Sequence, residues 1–191
     1  TGRVWERDEV ERAMEVYRRH DCVVISDEIW SDIILPGHRH VPTQSVSEDA
    51  RMRTVALYAP SKTFNLAGLV GSYHIIYNDR LRDRIDKESS LPHYNEMNVL
   101  SMHALIGAYS QEGREWTDEL LQVLEGNCKY ACDHIRQHYD GVDVSMPQGT
   151  YMLFLDLTDY CRRTGKTLDQ VIKAGWDVGV AWQDGRAFHG P

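Results

Sequence analysis

The sequence predicts an α/β fold: part of a large domain with a mainly parallel sheet and flanking helices, followed by a smaller α+β domain. Three observations predict it. Residues 22–26 form a short apolar run of the kind that makes a parallel strand buried on both faces, and 53–58, with the apolar run Val55-Ala56-Leu57-Tyr58, reads as a further strand. Residues 7–19 carry Val10, Met14 and Tyr17 at helical spacing just before the first run. The last third reads as a long helix and then a short β-β-α-β unit.

Taken in order, Asp and Glu early in 7–19 and Arg18-Arg19-His20 late in it complement a helix dipole. Strands follow at 22–26, 53–58 and 72–77, and Cys22 is expected to be a small buried apolar residue of the first. Asn78 can cap a helix over 79–88, and a further helix is expected over about 95–110, before Gly113. From about 115 to 139, Trp116, Leu120, Val123, Leu124, Cys128, Ala131 and Ile135 form an apolar stripe. At ~1.5 Å per residue such a helix suits a connector between domains, so the boundary is placed within it: residues 1–125 in the first domain and 126–191 in the second. Short strands are expected at 142–146 and 151–157. The capping box Thr167-Leu168-Asp169-Gln170 opens a helix to about Ala174, and Gly175 leads to a strand near 178–181.

Composition narrows the function. A net charge of −8 argues against nucleic acid and anionic membranes as main partners. No apolar run approaches the ~20 residues of a membrane helix. The four cysteines fit a reducing cytoplasm. Cys128 and Cys132 share a helix face but lack a second ligand pair at a recognisable spacing, so a structural role is expected and no metal site is assigned. His38 and His40 are read as a solvated loop. The chain opens Thr1-Gly2-Arg3-Val4-Trp5 without Met and stops soon after the expected last strand, as an excerpt of a longer protein would.

Chemistry concentrates at two strand ends. Asp27 closes Val23-Val24-Ile25-Ser26-Asp27-Glu28, and Lys62 lies in Ala59-Pro60-Ser61-Lys62-Thr63-Phe64-Asn65, just after the second apolar run. Open α/β sheets bind ligands at the carboxyl ends of their strands. A lysine and a carboxylate there suit an amine that forms a Schiff base and an acid that controls a cofactor's ring nitrogen. A phosphate loop with a Mg²⁺-binding strand is the rival. Such a loop needs glycines to expose its N–H groups, whereas Ser61 precedes the lysine and Ala56 stands six residues before it.

The whole set resembles fold-type I pyridoxal-phosphate enzymes, the aminotransferase class I/II superfamily. Thr1-Gly2 is similar to the tail of its Asn-Pro-x-Asn-Pro-Thr-Gly loop, Asp27-Glu28 to its Asp-Glu motif, and Ser61-Lys62-Thr63-Phe64 to its cofactor-lysine motif. Pro147-Gln148-Gly149-Thr150-Tyr151 is similar to the start of its small-domain sheet. The resemblance implies pyridoxal 5'-phosphate as cofactor, a small amino-acid substrate and a homodimer. It implies that Lys62 attaches the cofactor and moves the substrate Cα proton, which calls for a neutral amine. Asp27 would keep the pyridine nitrogen protonated, and Ser61, otherwise a turn residue, would donate to the phosphate. Tyr58 and Tyr94 are candidates to face the cofactor.

Three departures bear on the reaction. Trp30 stands where many aminotransferases have the tyrosine that bonds the cofactor's phenolic oxygen, which adds Trp30 to the expected cofactor contacts. Val70 stands where many have a phosphate-binding arginine, and Asn65 where glycine is common. These features are more like the carbon–sulfur β-lyase branch, of the cystathionine β-lyase type. An aminotransferase, or a folded fragment without activity, are the other readings. Arg186 is not assigned to substrate binding, because the family's arginine is expected beyond it.

Overall fold

The protein is described by a computed structural model covering residues 2–91 and 96–188. The chain divides into two compact units. The larger takes Arg3–Val123 with Gln148–Thr150; the smaller takes most of the rest, from Leu124 onward.

In the larger unit, α1 (Arg7–Arg19) leads to β1 (Val24–Asp27), and α2 (Glu48–Arg53) leads directly into β2 (Thr54–Tyr58). β3 (Tyr73–Ile75), α3 (Asp79–Ser90) and α4 (Val99–Ala108) follow. β1 pairs in parallel with β2, with Asp27 opposite Leu57, and β3 runs antiparallel on the other side of β2. The core is Val10 and Met14 of α1 with Ala50 of α2, against which Val24 packs. Buried Gln44 straps the sheet: its amide donates to the carbonyls of Thr54 and Ile75, both at 2.9 Å.

Several expectations hold. α1 has the bounds read from its periodicity, and Asn78 caps α3 by accepting from the Leu81 N–H; the helix expected over about 95–110 is the shorter α4, which Asn98 caps in the same way. The helix over 48–53 was not expected, being too short to show a period; Ser47 caps it. β1 differs in burial. It was expected to be covered on both faces, yet Val23 and Ile25 are 56% and 71% exposed. α1 and α2 cover the Val24 face, and the other face stays open among the described residues, so an apolar run conceals a strict alternation of in and out. Cys22, just before it, is only half-buried.

α5 (Gln111–His138) starts earlier than its stripe suggests, because Ser110 caps it and Gly113 is absorbed into its first turn. The division between the units falls inside it. In the smaller unit Cys128 and Cys132 are buried, and burial raises the Cys128 thiol pKa. β4 (Asp143–Val144) pairs antiparallel with β5 (Leu155–Asp156), and α6 (Thr158–Thr164) and α7 (Leu168–Asp177) complete the unit. The strand expected near 178–181 does not form. Gly179 takes φ +83°, and the N–H of Val180 returns to the Gly175 carbonyl at 2.8 Å, so this stretch is the C-cap of α7.

Gln148–Thr150, expected to open the small-domain sheet, packs with the larger unit instead. Leu35 N–H donates to the Gln148 carbonyl at 2.9 Å, Thr150 N–H to the Ile33 carbonyl at 2.8 Å, and Ile34 bridges Gly149. A Cβ on Gly149 would sit 2.9 Å from the Ile33 carbonyl oxygen, so only glycine fits this approach. Gly149→Ala is expected to lower unfolding stability by about 1–3 kcal/mol, the usual cost of forcing a group into a packed site, read as a shifted urea midpoint with unchanged slope.

Candidate active site

The parallel pairing of β1 and β2 sets Asp27 and the loop after Tyr58 at the same edge of the sheet. The strand period then separates two adjacent carboxylates. Asp27 lies with Ile25 on the open face and is exposed; its Oδ1 accepts the Ile29 N–H at 3.2 Å. Glu28 continues the ladder, donating its N–H to the Leu57 carbonyl at 2.9 Å, and turns its side chain inward.

Glu28, to which the sequence reading gave no role of its own, anchors the polar network beside the site. Its side chain is 3% exposed. It accepts from His40 Nε2 at 2.8 Å, the Tyr58 hydroxyl at 2.8 Å, the Thr43 N–H at 3.0 Å and the Ser26 hydroxyl at 3.0 Å. Burial alone would push the carboxyl's pKa up. The bonds from His40, Thr43 and Tyr58 outweigh it and hold the value at about 2. Burial and the same bond raise the Tyr58 phenol. The signal in the sequence was the alternation Val24, Ser26, Glu28, which puts the glutamate on the packed face. His40, read as part of a solvated loop, is instead half-buried against it.

The Lys62 loop is a tight turn. Phe64 N–H donates to the Pro60 carbonyl at 2.9 Å and Leu66 N–H to the Ser61 carbonyl at 3.1 Å. Thr63 is buried, and its hydroxyl donates to Asp32 at 3.2 Å, tying this loop to the one after β1. Phe64 stacks on Trp116 at 5.7 Å and meets Tyr109 edge-on at 5.7 Å. Tyr109 in turn meets Tyr73, which stacks on Tyr58 at 5.4 Å. Asn65 adopts φ +54°, a left-handed conformation that asparagine tolerates and glycine would also satisfy. Val70 is 77% exposed at φ +44°, an unfavourable backbone for a β-branched residue.

Lys62 and Ser61 are half-buried. Lys62 Nζ lies 5.6 Å from the centre of the Trp30 ring, within cation–π range. Trp30 also lines a cleft of about 360 Å³ together with Asp27, Ser26, Tyr17 and Gly149. Lys62 and Ser61 are not among the residues that line this cleft; Trp30 links the two places, lining the cleft with Asp27 and meeting the Lys62 amine with its ring. Tyr58 commits its hydroxyl to Glu28, and Tyr94 lies outside the described residues.

The sequence profile of the family described as aminotransferase class I and II matches residues 1–190. The chain belongs to this family. Among curated relatives, it is 35% identical to "Cystathionine beta-lyase PatB" of Bacillus subtilis over 92% of this chain and 45% of that protein. It is also 35% identical to "Protein MalY" of Escherichia coli, over 82% of this chain and 40% of that protein. The chain thus spans less than half the length of these relatives. Among solved structures, cystalysin of Treponema denticola, which contains a pyridoxal 5'-phosphate cofactor, superposes over 98% of this chain and 46% of its own, with TM-score 0.89 and 28% identity. The pyridoxal-phosphate-bound C–S lyase of Staphylococcus hominis covers 93% of this chain and 44% of its own, with TM-score 0.83 and 29% identity. The α/β fold expected from the sequence is the fold of these aminotransferase-family enzymes.

Glu28 gives a pH-dependent prediction. Its folded-state pKa of about 2 lies below the ordinary 4.5, so its stabilisation is complete above about pH 4.5 and is lost as pH falls towards 2. At ~1.4 kcal/mol per pKa unit, Glu28→Gln is expected to cost about 3–4 kcal/mol at pH 7 and little near pH 2. Urea titrations of both proteins across this range measure it; a constant difference between them would contradict it.

Proposed function

We propose that this chain is part of a pyridoxal-phosphate-dependent carbon–sulfur β-lyase, cleaving cystathionine- or cysteine-type amino acids to a thiol, a keto acid and ammonia. One observation supports the assignment to this site: the Lys62 amine lies 5.6 Å from the centre of the Trp30 ring, and Trp30 shares a cleft lining with Asp27. The residues suit the cofactor by their chemistry. They offer an amine for its aldehyde, a carboxylate for its cationic ring nitrogen, an indole face for its flat ring and the Ser61 hydroxyl for its phosphate.

Bound there, pyridoxal phosphate supplies the electron-withdrawing ring that makes the substrate Cα–H bond acidic. Lys62 Nζ takes the Cα proton. The electron pair released at Cα would form the Cα–Cβ double bond as the Cβ–S bond breaks and sulfur leaves as thiolate; the released aminoacrylate then takes up one water to give the keto acid and ammonia. Asp27, exposed at the end of β1, would be the carboxylate that pairs with the cofactor's ring nitrogen. Trp30 limits where the Lys62 amine can swing. The identities with the β-lyase relatives favour elimination. An aminotransferase is the second reading, favoured by 26% identity over the whole chain to the aspartate aminotransferase of Geobacillus stearothermophilus; it would use the same Lys62 and return the proton elsewhere.

In this reading the larger unit, out to about residue 125, is part of the cofactor-binding domain, and residues from about 126 begin the small domain. The whole protein is a cytoplasmic homodimer. Two features support that. All four cysteines are free thiols. Val99, Leu100 and Ile106 leave α4, an almost wholly apolar helix, exposed in the single chain, a surface that a second copy would cover.

Borohydride reduction after mixing the chain with pyridoxal phosphate is expected to place the label on Lys62 in peptide mass spectra. Lys62→Ala is expected to abolish that label, and Asp27→Ala to weaken cofactor retention at least tenfold. A label that persists elsewhere in Lys62→Ala at equal yield would refute the assignment. With cystathionine, pyruvate and free thiol are expected; amino transfer to a keto acid without thiol release would select the second reading. Sedimentation velocity is expected to show a dimer that Ile106→Asp shifts towards monomer.

A further inference from the structure

The C-terminal turns of α5 carry chemistry that a pyridoxal-phosphate site does not use. His134 and His138 are one helical turn apart, so their rings leave the same helix face. Both are exposed, and their ring centres are 4.4 Å apart at an interplanar angle of 50°. Tyr130, a further turn back, stacks on His134 at 6.0 Å and 19°, and Tyr139 meets the same ring at 6.0 Å. His134 is thus held between aromatic neighbours, with His138 already alongside.

From this arrangement we propose that His134 and His138 form a chelating site for a divalent first-row transition-metal ion. Two imidazoles at i and i+4 of a helix are the minimal pair that converges on one ion, as in helical zinc sites. The pair supplies two ligands, and no group of three or more metal-binding side chains occurs among the described residues, so the proposed site is a two-imidazole site with its other positions left to solvent. The surroundings favour a cation. α5 ends at His138, where the helix dipole is negative. The nearby Arg136 is already engaged, donating to the Val144 carbonyl at 2.9 Å and lying 3.8 Å from Asp133. The chain's net charge of −8 also draws cations to it. The mixed imidazole–water ligand set follows the general affinity order, with Cu²⁺ above Ni²⁺ and Zn²⁺.

Calorimetric titration of the full chain with NiCl₂ at pH 7.5 tests this, with His38→Ala as a control for the remaining histidines. One Ni²⁺ per chain is expected, with at least tenfold weaker binding in His134→Ala and in His138→Ala and unchanged binding in His38→Ala. Ni²⁺ is expected to raise the melting temperature of the natural chain and of His38→Ala, but not of the two α5 variants. Far-UV circular dichroism of each variant reports whether α5 is intact. Equal affinity in all four proteins, or loss of affinity in His38→Ala alone, would overturn the site. Weaker binding with a folded α5 supports it. A variant that loses α5 is replaced by His134→Gln or His138→Gln, which keep the helix and are held to the same tenfold criterion.

Discussion

The buried carboxylate of Glu28 is the constraint around which the larger unit is arranged. An ionised group this dry is tolerated only when donors surround it. Here they arrive from the end of β1, from β2, and from the segment leading to Thr43. Each donor is fixed by the carboxylate it serves. Tyr58 is held at the last position of β2, so the chain leaves the sheet at a set angle towards Lys62. Ser26 and Thr43 also share a hydrogen bond of 2.8 Å, closing the group into a network. Such a network rigidifies a site more than any single pair does.

The aromatic run does for the other side of the Lys62 loop what the polar network does for its base. Tyr58, Tyr73, Tyr109, Phe64 and Trp116 meet in series at centroid distances of 5.4–5.9 Å. Phe64 is two residues from Lys62, so the lysine's backbone is fixed by ring packing on one side and by the Thr63–Asp32 bond on the other. The lysine's own contact, with Trp30, is then made by a side chain rather than by a mobile loop.

Much of this was legible in the sequence, and the failures have physical causes. Helix α1 was readable from its periodicity and end charges and α3 from its Asn78 cap, and Asp27 and Lys62 stood out because each follows an apolar run. Glu28 was overshadowed by its neighbour: a linear motif treats adjacent carboxylates as one feature, while the sheet sends them to opposite faces. The missing strand near 178–181 had β-branched residues but also Gly179, whose positive φ makes a helix stop. The open face of β1 was illegible in principle. The run Cys22–Ile25 records only that these side chains are apolar, not what covers them. Asn65, read as a mark of reaction type, has a conformational explanation at φ +54°, so it discriminates between the two chemistries less than its spelling suggests.

The alternation at Asp27 and Glu28 also sets how this region can change over evolutionary time. One peptide bond separates an exposed carboxylate from a buried one. A single-residue insertion or deletion within β1 would exchange their faces, leaving a charge stranded beneath the sheet and moving the apolar side chains outward as well. Point substitutions on the open face leave that phase untouched. The turn at Pro36, Gly37, His38 and Arg39, exposed and outside every strand, can take up length changes without disturbing it. Length variation among descendants of this sequence should therefore collect in that turn, and β1 should keep its residue count even where its side chains drift.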